Sequence, residues 1–419
     1  MIHWPDAGVS HLATWTIAAV ATAAVIIRPG RWPEAVWAVA GALALLACGL
    51  IPASTALQAV FEGLDVYLFL IGMMLLSELA RREGLFDTLA GWAVRHAGGS
   101  ARRLFALIYG IGVVVTVFMS NDATAVVLTP AVYVVAKRAG ARPLPYLFAC
   151  AFIANAASFV LPISNPANLV VFGEHMPPLF AWLRAFALPS IASVMVTWAV
   201  LALVFRGELA AAVESDPHVP ALSGTGRLAA IGIAGVVLAM LAASALGFPL
   251  GAPALIASAI AIGAVQAARR EAPWPLLQHV SWSVLALVAG LFVLVAGVGQ
   301  TGLIAALTET LREAAHAAPR ATAWGAGTLV AFASNLMNNL PAGLVAGTAV
   351  NSGPMPGEVR SAIAIGIDLG PNLSVTGSLA TILWLVALRR EGEHVSAWQF
   401  LRVGVLVMPL ALIAALACL

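Results

Sequence analysis

The sequence predicts an all-α polytopic membrane protein of two inverted-topology repeats, with about ten transmembrane helices, two re-entrant helical hairpins and broken helices. Three observations carry that expectation. Of 419 residues, 61% are hydrophobic and only 10% are charged, whereas soluble domains carry about 25% charged residues. Apolar runs of roughly the 17–25 residues that a helix needs to cross lipid recur along almost the whole chain. Finally, the order of elements in the first half returns in the second.

Crossings are expected near 11–27, 34–52, 64–80, 144–173, 178–205, 227–246, 249–267, 282–299, 359–388 and 397–418. The run from His11 to Ile27 has no basic flank before it and no small-residue cleavage site, so it reads as a retained helix. Segments 101–138 and 320–350 are apolar but interrupted by polar residues midway, and read as hairpins. Gly207 to Gly226 is the one long polar stretch, holding Glu208, Glu214, Asp216, Pro217 and His218; it reads as a cytoplasmic linker between a first repeat, 1–206, and a second, 227–419.

Basic residues orient the chain, because cytoplasmic loops carry the excess of Lys and Arg. Ten crossings with two returning hairpins put seventeen of the 21 on one side, among them Arg28, Arg81, Arg82, Lys137, Arg138, Arg269, Arg389 and Arg390. Arg312, Arg320 and Arg360 fall opposite, with Arg184 between. Both termini are then expected on the periplasmic side of a bacterial inner membrane. Gly84-Leu85 and Gly302-Leu303 each precede a helix of mixed polarity, then Arg102 or Arg320, then a hairpin. Asn121 in the first hairpin and Asn339 in the second are separated by the same offset as those glycines and arginines, so they correspond. Five crossings per half is an odd number, so the halves are expected to be inverted relative to one another.

Four polar clusters interrupt these apolar segments, two per half. They are Ser120-Asn121-Asp122; Asn155, Ser158, Ser164, Asn165 and Asn168 around Pro162 and Pro166; Ser334, Asn335, Asn338 and Asn339 before Pro341; and Asp368, Asn372, Ser374, Thr376 and Ser378 around Gly370-Pro371 and Gly377. Ser, Asn and Asp are favoured N-caps and Pro suits a first turn. Asn165-Pro166 therefore reads as a helix restarting, and Asn339-Leu340-Pro341 as the start of a hairpin's second arm. Irregular backbone within a membrane is tolerated where protein buries it or water fills a cavity beside it, and a half-helix start there offers free N–H donors and partial positive charge. Interior amides and hydroxyls also join membrane helices to each other. Four clusters at corresponding places in both halves favour a solute site, and so a transporter.

Asp122 and Asp368 are the acids most distant from any expected surface. Ionisable groups there are costly and usually functional, which makes both candidate proton carriers; a plain helix cap is the alternative. Asn372, one turn after Asp368, is expected to share its face. Glu78 ends an apolar run, where Arg82 at i+4 can pair with it, and reads as structural. Cys48, Cys150 and Cys418 lie far apart in apolar runs and read as small buried hydrophobes rather than a thiolate site. The histidines lack metal-ligand spacing, and neither a metal nor a cofactor is expected. The one lysine, Lys137, precedes Arg138, so no GxxxxGK[ST] loop exists. HExxH and GxSxG are missing too, which argues against an intramembrane hydrolase. Net charge is +2 without a basic patch, so no nucleic acid is implied. With no Arg or Lys at a crossing centre, a neutral or weakly charged solute fits best.

Phe118-Met119-Ser120-Asn121-Asp122-Ala123-Thr124, Ile163-Ser164-Asn165-Pro166-Ala167-Asn168, the run Ala333 to Gly343 and Ile367-Asp368-Leu369-Gly370-Pro371-Asn372-Leu373-Ser374 resemble the bacterial arsenite/antimonite efflux permeases of the ArsB type. The resemblance extends over about 60–400; that family often has a second Asn where this chain has Ser120. It implies the ion-transporter superfamily, a scaffold part and a moving part that carries the hairpins. It further implies proton-coupled export of As(OH)3 and Sb(OH)3, in some members with a separate cytosolic ATPase. Other superfamily activities, such as sodium-coupled anion transport or sodium/proton exchange, are the alternative; a non-transporting membrane subunit or intramembrane enzyme is a second.

Overall fold

A computed structural model describes residues 7–214 and 221–419; Asp216, Pro217 and His218 of the expected linker lie outside them. Every regular element among the described residues is helical, and the one β contact is an isolated bridge between Ser100 and Ala212. Among the described residues, seven helices are long and apolar enough to cross a bilayer: Ala7–Ile27, Ala101–Met119, Leu179–Val204, Gly224–Ala245, Gly251–Arg269, Ser283–Gln300 and Ala397–Ala417. Ala53–Glu62 and Leu64–Arg82 add an eighth as a pair bent by 44°. The sequence pattern does not reveal Ala53–Glu62, whose 10 residues are too short to register as an apolar run. The expected helices of mixed polarity are Leu85–Ala97 and Leu303–Ala317, each opened by a left-handed glycine, Gly84 (φ 71°) and Gly302 (φ 77°).

Six helices, Ala7–Ile27, Glu34–Ala47, Leu64–Arg82, Gly224–Ala245, Gly251–Arg269 and Ser283–Gln300, pack chiefly on one another. Lipid supplies no hydrophobic push between helices, so close backbone approach through small residues holds them. A Cβ on Gly72 would stand 2.6 Å from the Ala254 carbonyl carbon, and one on Gly290, at the hairpin offset from Gly72, 2.7 Å from that of Ala38. One end of this bundle is tied by ions: Arg269 donates to Glu83 at 2.6 Å, and Arg82 pairs with Glu271. The expected Glu78–Arg82 pair does not form. Glu78 instead takes two hydrogen bonds from Arg81, at 2.7 and 2.5 Å, because Arg82 turns outward to Glu271 on the neighbouring helix end.

The remaining helices form a second packing group around aromatic rings. Phe148, Phe152 and Phe400 stack within it, Trp384 packs edge-on against Phe148 and Phe400, and its indole N–H donates to the Leu147 carbonyl at 3.1 Å. Leu179–Val204 lies on Ala397–Ala417, and Pro319–Met337 on Gly357–Leu369. The polar linker is not wholly solvated: Leu209 and Val213 are buried, and the Val213 N–H donates to the Gly99 carbonyl. Only Cys150 of the three cysteines is buried; Cys48 is half-buried and Cys418 exposed. That corrects the expectation for Cys418, since an outer helix face in lipid can be as apolar as a core.

Candidate functional site

The two interrupted segments break where the sequence placed polar residues, and they break alike. Ala101–Met119 ends at Ser120, with φ 103° and ψ 158°. Pro319–Met337 ends at the corresponding position, Asn338, with φ 74° and ψ 153°. A β-carbon is strained at such positive φ, so neighbouring bonds must hold the turn. In the first, the Asn121 side-chain oxygen accepts from the Asp122 N–H at 2.9 Å. In the second, the Asn338 oxygen accepts from the Leu340 N–H at 3.3 Å, and the Asn339 N–H donates to the Gly377 carbonyl at 2.8 Å. The second arm therefore begins at Asn339, where its sequence reading starts it, with Asn338 as its cap. The arms then differ. Residues Ala123–Leu128 form a π-helix, bridged by Thr116 to Thr124 at 2.8 Å, whereas Asn339–Asn351 is a regular α-helix.

Two broken helices complete the arrangement. Leu144–Ala156 and Gly357–Leu369 each stop, pass through a 3₁₀ turn, Pro162–Ser164 or Gly370–Asn372, and restart as Pro166–Phe172 and Leu379–Arg390. The restarts are capped by Asn165 and Ser378, both extended, which accept from the Ala167 and Thr381 N–H groups. Each cap also reaches the other broken helix. Asn165 Nδ2 donates to Asp368 Oδ1 at 2.7 Å, and Ser378 Oγ donates to Asn155 Oδ1 at 3.3 Å. Asn155 and Asp368 are separated along the chain by the same interval as Asn165 and Ser378, so these are two copies of one clasp. All four residues are at most 2% exposed.

The other expected residues fill hydrogen-bond networks around the clasps. Asn155 Nδ2 donates to Asn372 Oδ1 at 3.0 Å and Asn372 Nδ2 to the Phe152 carbonyl at 3.0 Å. Asn372 thus turns away from Asp368, because the helix ends at Leu369 and the four-residue spacing no longer sets a common face. Ser164 holds the Val117 carbonyl, Asn168 the Ser158 carbonyl, and Ser158 the Ala154 carbonyl. Ser334 bonds within its own helix, to the Ala331 carbonyl. Asn335 donates to the Gly370 carbonyl and accepts from Ser374 at 2.7 Å, while Thr376 donates to the Asn335 carbonyl. Thr381, absent from the sequence candidates, joins Asn155 and Ser378. Asp368 Oδ2 is buried with no hydrogen-bond partner.

A cavity of about 750 Å³ reaches part of this assembly. Ser120, Asp122, Pro166, Leu70 and Leu379 line one end of it. Arg81 and Arg390, near the far ends of the helices that carry Leu70 and Leu379, line the other together with Val134. At 1.5 Å per helical residue, the walls from Leu70 to Arg81 and from Leu379 to Arg390 are about 16 Å long. Asp87, His279 and Glu391 also line it, near the mouth, and Glu78 with Arg81 forms a closed ion pair there. Among the described residues, no Lys or Arg lines the end at Ser120 and Asp122. Of the sequence candidates only Ser120 and Asp122 touch the cavity; the amides of Asn155, Asn165, Asn168 and Asn372 are enclosed by protein. Glu78 was legible only as a helix-end acid, since nothing in the sequence reveals that its face borders a cavity.

A second cavity, of about 420 Å³, is lined by residues at the hairpin offset from those of the first. Phe292, Val295, Ala296 and Gly299 stand where Met74, Ser77, Glu78 and Arg81 stand in the larger one. Likewise Leu344, Thr348 and Ser352 replace Val126, Pro130 and Val134. This smaller cavity does not include Asn338 or Asn339 in its lining.

Both the sequence and this architecture have known relatives. Residues 21–368 match the CitMHS family, described as citrate transporters. An arsenical pump membrane protein of Yersinia enterocolitica is 28% identical over 362 residues, covering 83% of this chain and 84% of that protein. One from Escherichia coli strain K12 is 27% identical with the same coverage, and an uncharacterized transporter of Mycobacterium tuberculosis is 26% identical over 361 residues. The fold is that of solved transporters: the Alcanivorax borkumensis YdaH transporter aligns with a TM-score of 0.57 at 17% identity over 88% of each chain. Neisseria gonorrhoeae MtrF, from a class of antimetabolite efflux pumps, aligns with a TM-score of 0.55 at 13% identity over 90% of this chain and 83% of its own. The chain is a polytopic membrane transporter that belongs to the CitMHS family of the ion-transporter superfamily.

Proposed function

We propose that the protein exports trivalent arsenic and antimony as neutral hydroxides by proton antiport with alternating access. In this reading 1–206 and 227–419 are inverted repeats joined by a cytoplasmic linker, the interrupted segments are re-entrant, and both termini face the periplasm of a bacterial inner membrane. The observation that carries it is the large cavity, lined at one end by the Ser120 hydroxyl, the Asp122 carboxyl and the start of Leu379–Arg390, with no Lys or Arg beside them among the described residues. As(OH)3 and Sb(OH)3 present hydroxyls that can both donate and accept there. The names of the pump relatives support the same cargo.

Asp122 and Asp368 are the proposed proton carriers, Asp122 at the water-accessible floor and Asp368 in the enclosed clasp. The Asn and Ser networks around them shape the binding region. The missing phosphate-binding loop supports a carrier without its own NTPase, with a separate cytosolic ATPase as a candidate partner. The mouth bears Arg81 and Arg390, on the basic and therefore cytoplasmic side, so the cavity is the entrance from the cytoplasm. The smaller cavity at the corresponding place then lies on the periplasmic, exit side.

Expression in a bacterium stripped of its arsenite exporters tests the proposal. Restored resistance with lower cell arsenic is expected, and its loss in Asp122→Asn and Asp368→Ala at unchanged expression. Sodium-coupled anion transport, whose anionic cargo fits the family's description as citrate transporters, predicts instead strict sodium dependence and no change in cell arsenic.

A further inference from the structure

Asp122 is not required by the fold around it. Its counterpart at the hairpin offset is Leu340, buried in the second interrupted segment, where the same positive-φ break forms without an acid. The carboxylate caps nothing: the bond at this turn is made by its backbone N–H to Asn121, and no hydrogen bond or ion pair engages its side chain among the described residues. It lines the cavity floor, about a helix wall's length from Arg81 and Arg390. Of the acids nearer the mouth, Glu78 is neutralised by Arg81, while Asp87 and Glu391 stand among Arg390 and His279. The floor therefore has a single net charge, and its sign is negative.

We infer that Asp122 sets substrate class by repelling anions: in its ionised form it excludes di- and tricarboxylates from the end of the cavity. A carboxylate ion entering a narrow, low-dielectric floor meets this unpaired charge at close range, whereas a neutral trihydroxide does not. Members of the CitMHS family share the fold but not of necessity the cargo, and one side chain at the cavity's end is sufficient to divide anionic from neutral solutes. The inference rests on the proposed reading of the cavity as the solute path, but not on which neutral solute uses it.

The test reads the floor's charge directly. Cys48, Cys150 and Cys418 are replaced by alanine, and a single cysteine is placed at Val126, one turn from Asp122, or at Val134 near the mouth. Cationic and anionic methanethiosulfonates are compared at about pH 8, where an accessible carboxyl is ionised. At Val126→Cys the cationic reagent should react faster, and Asp122→Asn should lower the cation-to-anion rate ratio about tenfold. Asp122→Leu, which copies Leu340, should do the same; Asp122→Glu should restore the preference; and Val134→Cys should change little. Citrate should slow labelling of Val126→Cys only when Asp122 is neutralised. An equal ratio in native and neutralised proteins, or an equal change at both cysteines, overturns the inference. Arsenite transport enters none of these readouts, so loss of the arsenite proposal and loss of the charge filter give different results.

Discussion

Replacing Asn165 with alanine removes two bonds at once in a region enclosed by protein. Its oxygen caps the restarted helix at Ala167, and its Nδ2 is the one donor among the described residues that reaches Asp368. Loss of an Asn cap costs about 1 kcal/mol. Loss of a hydrogen bond to a buried carboxyl costs about 1.5–3 kcal/mol, because Asp368 Oδ2 already has no partner and Oδ1 would join it. Asn165→Ala should therefore destabilise by about 2.5–4 kcal/mol. Asn165→Ser, which copies Ser378, keeps a cap but is too short for the clasp, and should cost about 2 kcal/mol. Asp368→Asn copies Asn155 and retains an acceptor for Asn165, so about 1 kcal/mol or less is expected. Thermal unfolding of detergent-solubilised protein, followed by the fluorescence of its 12 tryptophans, gives the order. The double variant Asn165→Ala/Asp368→Asn should be milder than additivity requires. Additive effects, or Asp368→Asn as damaging as Asn165→Ala, would refute the clasp.

Packing and sidedness are tested separately. Gly72→Ala and Gly290→Ala should each destabilise by about 1–3 kcal/mol, since the new Cβ meets backbone of Ala254 or Ala38 that cannot step aside; unchanged melting would show that these helices separate freely. Cysteines at Val134 and Ser352 line the two corresponding cavities. A membrane-impermeant thiol reagent should reach Val134→Cys from the cytoplasmic side and Ser352→Cys from the periplasmic side, and labelling of both from one side would contradict inverted halves. Arg81→Ala should leave Glu78 unpaired at the cavity mouth and slow entry of anionic thiol reagents at Val134→Cys.

The breaks were legible because cap chemistry is local. Asn165-Pro166 and the Asn338–Pro341 run state in sequence that a helix starts there, and it does. The regular spacing of the two hairpins was legible as well, through Gly84 and Gly302, whose left-handed φ values need glycine. Which polar groups meet one another was not. The clasps join residues more than two hundred positions apart, and the broken helices recur at a shorter interval than the hairpins do, so no single offset exposes Asn155 as the partner position of Asp368. Asn372 departs from its expected face for a simpler reason: helical spacing does not hold beyond Leu369, where the helix ends. Cavity access was equally hidden, since Asp122 and Asn121 are neighbours in sequence but only the first lines open space.

Uptake of trivalent arsenic into everted membrane vesicles is the most direct measurement of efflux. Proton antiport predicts accumulation when the lumen is made acid, collapse when the proton gradient is dissipated, indifference to sodium, and no accumulation with Asp122→Asn. Vesicles that hold correctly inserted protein yet take up citrate with sodium, and no arsenic under any gradient, would contradict it.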